Sequence, residues 1–213
     1  MRGMRRLAPL LLSALVLTGC GERKILSLDR AARCLAQVRE AHQAERWSRV
    51  RSRAKPLLKA HPRTPGSEEA LYLVADAEAH RGRQTSAYRT WETLILEHPA
   101  SERIREVSRR EAAMATARHA AGRRRLKGHF MMVGVPVTDV LQASARHDPY
   151  AEHAALARQI AATREYDAKR YEEAGVIMDR LLEDQPKTTL APEVEYLRAM
   201  ASYGAFRGHP YDI

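Results

Sequence analysis

The chain has 213 residues and a formal charge of +10, with 36 lysines and arginines against 26 acids. Only two cysteines are present, which excludes a disulfide framework and a cysteine zinc cluster. Alanine, arginine, leucine and glutamate dominate and aromatic residues make up only 6%, a composition that favours helices over a sheet.

Arg2, Arg5 and Arg6 give a cationic start, and an apolar run from Leu7 to Leu17 follows, broken only by Pro9 and Ser13. The run is shorter than the roughly 20 apolar residues of a spanning helix and has the length of a signal-peptide core. Leu17-Thr18-Gly19-Cys20 closes it and resembles a bacterial lipobox. The resemblance implies a lipoprotein signal peptide at 1–19, acylation of Cys20 and a lipidated linker at 20–29. Acyl chains worth roughly 0.8 kcal/mol per buried CH₂ would then hold the protein on a membrane without a spanning helix. Gly21, rather than Asp, follows the cysteine, which favours the outer membrane. Removal of 1–19 leaves 194 residues carrying +7, enough for one domain or one repeat array.

Cys34 has no partner once Cys20 is acylated. It lies in helical register with Leu35 and Val38 and is expected as a small buried apolar residue.

Internal repetition is the sharper signal. Residues 46–77 align without a gap on 170–201, an offset of 124 that places Leu57-Leu58 on Leu181-Leu182 and Pro62 on Pro186. An offset of 37 places Leu57-Leu58 on Leu94-Ile95 and His61-Pro62 on His98-Pro99. Matches at fixed spacing are the mark of stacked helical pairs. In the clearest pair, a helix over 68–80 turns inward Ala70, Leu71, Val74, Ala75 and Ala79. Gly82 makes the turn, and a helix over 85–97 buries Ala87, Tyr88, Trp91, Leu94 and Ile95 before Pro99 stops it. This pattern resembles the tetratricopeptide repeat, with Glu78 standing where an aromatic is usual and Leu94 where a small residue is. Trp47, Val50, Ala54, Leu58 and Pro62 carry an earlier unit with Glu45 at its turn. Tyr171, Ala174, Met178, Leu182 and Pro186 carry a later one with Lys169 at its turn. The fold class expected is all-α, a tetratricopeptide-like array of helical hairpins (an α-solenoid) over 30–213.

Between these units a long helix is expected over 101–127, with Ser101 as its N-cap. An irregular connector at about 128–138 follows, containing Phe130-Met131-Met132-Val133, then a short helix over 139–145. Asp148 is expected to cap the next pair, which runs from Ala151. Arg105, Arg109, Arg110, Arg118, Arg123, Arg124, Arg125 and Lys127 crowd the long helix. A last helix over 192–206 lacks a mate and is expected to dock on the helix before it, leaving Tyr203 and Phe206 available.

The lipobox, the repeats and the segments HPRTPGSEEALYLVADA and QPKTTLAPEVEYLRAMA together resemble the outer-membrane lipoproteins of the BamD type. Gly208, Pro210, Tyr211 and Asp212 are similar to a turn of that family. The resemblance implies a periplasm-facing scaffold that binds assembly-machine subunits or unfolded outer-membrane proteins. A repeat adaptor of another envelope complex, in polysaccharide export or motility, is the alternative. Only Cys20, the lipid attachment site, carries over residue for residue.

No enzyme is expected, since G-x-S-x-G, H-E-x-x-H and a Gly-rich phosphate loop are all missing. The nearest metal-like set, His147, Asp148 and His153, straddles Pro149 and shares no helix face, so neither metal nor cofactor is expected. A signal peptide also argues against nucleic acid as a partner.

Overall fold

A computed structural model describes residues 27–124 and 135–207. Among these residues the chain forms nine helices and no strand. They are α1 (Leu28–Gln43), α2 (Trp47–Ala60), α3 (Pro65–His80), α4 (Gln84–Glu97), α5 (Ile104–Arg124), α6 (Val137–His147), α7 (Glu152–Asp167), α8 (Tyr171–Asp184) and α9 (Ala191–Arg207). Successive helices pack as hairpins, α1 on α2, α3 on α4, α5 on α6 and α7 on α8, with α9 laid against α8.

The two sequence offsets reappear in the backbone. Shifting α1 and α2 by 37 gives the bounds of α3 and α4, and shifting them by 124 gives those of α7 and α8. The turns inside these three pairs are the same turn. Glu45, Gly82 and Lys169 take left-handed φ values of 52°, 71° and 62°. The amide of the next residue, Arg46, Arg83 or Arg170, donates five residues back to the carbonyl of Ala41, Glu78 or Glu165, at 2.8–2.9 Å. That is a Schellman closure, which satisfies carbonyls the helix end would otherwise leave unpaired. The second helices stop alike, at His61, His98 and Gln185, each with φ near −135° and its amide donating to Leu57, Leu94 or Leu181. Those three leucines are all buried, and the proline that follows each cap keeps the chain from continuing as helix.

α3 has the strongest start. The Thr64 hydroxyl oxygen accepts from the Ser67 amide at 3.3 Å, and Ser67 Oγ accepts from the Thr64 amide at 2.9 Å. Pro65 occupies the first helical position, where its missing N–H costs nothing. The 124 offset would start α9 at 189, but Pro192 there replaces Pro65 as the proline of the first turn, and the helix begins at Ala191.

Three apolar clusters run along the molecule. Val38, Val50, Ala54, Leu57, Ala70 and Val74 join α1, α2 and α3. Ala115, Leu141, Ala161, Met178, Leu181, Val194 and Ala201 join α5 through α9. Between them a small cluster of Ala75, Ala87, Trp91 and Val107 links α3 and α4 to α5. Among sequence-adjacent helices, α4 and α5 meet least.

The α5–α6 hairpin departs from the repeat and from expectation. Its first helix begins at Ile104, three residues after Ser101. Ser101 caps an entering turn instead, its hydroxyl accepting from the Arg103 amide at 3.1 Å. The end of the predicted helix past 124, and the Phe130–Val133 stretch, lie outside the described residues. α6 runs over Val137–His147, longer than predicted at both ends, so Pro136 ends the expected connector. Asp148 is the C-cap residue of α6, and Ala151 stands at the N-cap of α7 without side-chain help, so the expected capping by Asp148 is not made. Cys34 is half-buried rather than buried, packing beside the α1–α3 cluster.

Candidate functional site

Cys20, the one site residue expected from sequence, lies outside the described residues, as do Gly208, Pro210, Tyr211 and Asp212. The described helices concentrate their polar chemistry at the junction of the α3–α4 and α5–α6 hairpins. α5 supplies most of it. Val107, Ser108, Glu111, Ala112 and Ala115 recur at three- and four-residue spacing and are all buried, so Ser108 and Glu111 stand in core-facing register.

Glu111 is fully buried and His147 of α6 nearly so. His147 Nδ1 lies 3.1 Å from Glu111 Oε2. Its other nitrogen, Nε2, lies 3.3 Å from Oε1 of Glu92, on α4. One donor atom from each of the three side chains lies within 4.8 Å of the other two. The imidazole cannot satisfy the pair of carboxylates. Glu111 Oε1 and Glu92 Oε1 are both buried and, among the described residues, neither has a hydrogen-bond partner. Burial pushes the Glu111 carboxyl up to about 7, against the opposing pull of the His147 hydrogen bond. Tyr88, one turn before Glu92, has its phenol pushed well above the usual range, first by burial and then by the Glu92 and Glu111 carboxylates.

A second network sits on the other side of α5. Asp76 of α3 accepts from Arg110 through Oδ1, and its Oδ2 lies 2.7 Å from His42 Nε2. Arg110 also donates to Glu106 at 2.7 Å, and the guanidinium groups of Arg103 and Arg110 lie 4.7 and 5.2 Å from the centre of the Tyr72 ring. Trp47 stacks on His80 with centroids 4.5 Å apart. These contacts tie α1, α3 and α5 together.

The metal-like set expected from sequence is dispersed. His147 joins Glu92 and Glu111, while His153 Nε2 pairs with Ser108 Oγ at 2.6 Å. Ser108 is fully buried and donates to the Ser144 carbonyl at 2.8 Å, so its hydroxyl braces α5 against α6 and is not presented to a substrate. The arginine cluster of α5 is likewise partly consumed, Arg109 and Arg110 by Glu106 and Asp76. Arg123 and Arg124 side chains, Arg125 and Lys127 fall outside the description.

One group of basic residues without a carboxylate partner among the described residues lies on the first hairpin. Arg30, Arg33, Arg46, Arg49 and Arg53 line the α1–α2 hairpin. Arg30, Arg33 and Arg53 border a cleft of about 450 Å³ with Cys34, Gln37 and Ser52. Part of the reason lies in the repeat. Glu78 and Glu165 face Arg83 and Arg170 across their turns, but the equivalent position before Arg46 is Ala41.

The far end of the molecule is apolar. Val194 and Ala201 of α9 are buried towards α8, while Tyr196, Tyr203 and Phe206 stay well exposed, Tyr203 and Phe206 as expected from sequence. Compared with known proteins, the chain matches no family model and no curated protein.

Proposed function

We propose that this protein is a non-enzymatic lipoprotein scaffold, anchored in the outer membrane through acylated Cys20 and facing the periplasm. Its role is to hold protein partners of the BamD-type machinery that assembles outer-membrane β-barrels. The observation that carries the reading is the thrice-repeated hairpin, with one turn geometry at offsets of 37 and 124, behind the Leu17-Thr18-Gly19-Cys20 box. A tetratricopeptide-like solenoid built of such hairpins presents long surfaces suited to extended peptides and partner helices. Among the described residues no helix is long and apolar enough to cross a membrane; the proposed attachment rests on the Leu17-Thr18-Gly19-Cys20 box and its acyl chains. The exposed Tyr196, Tyr203 and Phe206 give α9 the aromatic character of a partner contact.

Depletion of the protein, followed by quantitative profiling of outer-membrane β-barrels, tests the role. Barrel levels should fall, and crosslinked assembly subunits should co-purify. Unchanged barrels together with recovery of export or motility components would move the scaffold to another envelope complex.

A further inference from the structure

A fully buried carboxylate, Glu111, and a partly exposed one, Glu92, share a single imidazole at the α4–α5–α6 junction. Glu111 is fully buried, and a buried carboxyl is costly unless its oxygens are paired. Neither Arg146, whose charge reaches the Glu111 carboxyl from the exposed side of α6, nor the Tyr88 phenol gives these carboxylates a hydrogen bond among the described residues. The two oxygens left without hydrogen bonds, Glu92 Oε1 and Glu111 Oε1, belong to the two residues that His147 brings together.

We propose that Glu92, Glu111 and His147 form a binding site for a first-row divalent cation of the zinc class, which clamps α4 to α5 and α6. His147 Nδ1 lies 3.1 Å from Glu111 Oε2 and Nε2 3.3 Å from Glu92 Oε1, so the ring stands between the two carboxylates and one of its nitrogens would serve as the metal ligand. Zinc holds nitrogen and carboxylate donors at roughly 2.0–2.2 Å, which sets donors roughly 3–4 Å apart. The 4.8 Å spread of the three donors reaches that geometry by small side-chain rotations, without moving a helix. An imidazole nitrogen selects against magnesium and calcium, whereas one nitrogen and two carboxylate oxygens suit Zn²⁺ or Mn²⁺. Three protein ligands leave a further position for water, and the 36% exposed Glu92 side chain gives the ion its way in. The clamp falls beside the small Trp91 cluster that lies between the two large apolar clusters, so the ion would add to how firmly α4 is held to α5 and α6.

The test uses the full chain purified in detergent and stripped with a chelator. Zn²⁺ titration should give one tight equivalent and raise the melting temperature, and Co²⁺ should give a d–d absorption band displaced by Zn²⁺ but not by Ca²⁺. Glu111→Gln and His147→Gln should lose that equivalent. Glu92→Gln, at a half-exposed position and expected to fold normally, should weaken it at least tenfold. Calcium displacing cobalt, wild-type affinity in Glu92→Gln, or a melting temperature that zinc leaves unchanged would overturn the site and make His147 a bridge between two carboxyl groups only.

Discussion

Glu45, Gly82 and Lys169 hold the same left-handed backbone position, yet only one of the three is glycine. A side chain there costs roughly 1–2 kcal/mol, partly offset because glycine loses more entropy on folding. Lys169→Gly should therefore stabilise the protein by about 0.5–1 kcal/mol in urea melts, and Gly82→Ala should destabilise it by about the same. Space is not the issue at Gly82, since a Cβ there meets nothing within 4 Å. A Gly82→Ala midpoint above wild type would refute the strain argument. Trp91 tests packing instead of backbone. It is 2% exposed at the centre of the smallest cluster, so Trp91→Ala should cost about 3–5 kcal/mol. Trp91→Phe, which removes an indole N–H that finds no acceptor among the described residues, should cost less than half of that. Trp47→Ala should also cost less than Trp91→Ala, because the Trp47 ring is only half-buried and rests on His80. An unchanged midpoint and slope for Trp91→Ala would mean that the ring is not buried as described.

Helices of the regular pairs were legible in the sequence because each repeats a short code. A left-handed residue ends the first helix, and a leucine four residues before a capped stop and its proline ends the second. The α5–α6 hairpin was less legible because its lengths break the period, and Ser101 reads as an N-cap while serving a turn. The carboxylate cluster could not be read at all. Glu92, Glu111 and His147 lie on three helices, and no spacing in the chain relates them. One local signal did exist, an acid in the core-facing register of α5 between Val107 and Ala115, and Glu78 of α3 shows the same sign. At the other end, Gly204 lets α9 approach α8 closely, since a Cβ there would stand 2.9 Å from the Tyr171 ring. Gly204→Ala should therefore push the ring aside and cost about 1–3 kcal/mol. Near-ultraviolet circular dichroism should report the disturbed Tyr171 environment. An unaltered spectrum and melt would show that the ring gives way freely. Deleting residues 191–213 should lower stability further by uncovering Ile177 and Leu181, and it should weaken partner retention if α9 is the contact surface.

For the molecule as a whole, the proposed anchor and a group of arginines without a carboxylate partner among the described residues lie at the same end. Cys20 stands eight positions before Leu28, a reach of at most about 26–29 Å for extended chain. An acylated Cys20 therefore holds the α1–α2 hairpin closer to the bilayer than any later pair. Arg30, Arg33, Arg46, Arg49 and Arg53 have no carboxylate partner among the described residues, and each arginine near an anionic surface contributes roughly 1 kcal/mol. The hairpin should then lie on anionic headgroups, leaving the α9 end directed away from the membrane. The full chain carrying Cys20→Ser tests this without the acyl contribution. It should sediment with phosphatidylglycerol vesicles at low salt, release as ionic strength rises, and ignore phosphatidylcholine vesicles. Arg30→Glu, Arg33→Glu and Arg53→Glu together should abolish sedimentation while leaving the melting temperature within about a degree or two, because among the described residues these side chains make no ion pair and only exposed hydrogen bonds, to the Asp29 carbonyl and Gln37. If the triple variant still sediments with anionic vesicles as wild type does, the α1–α2 face is not what meets the membrane, and the tether alone would have to orient the molecule.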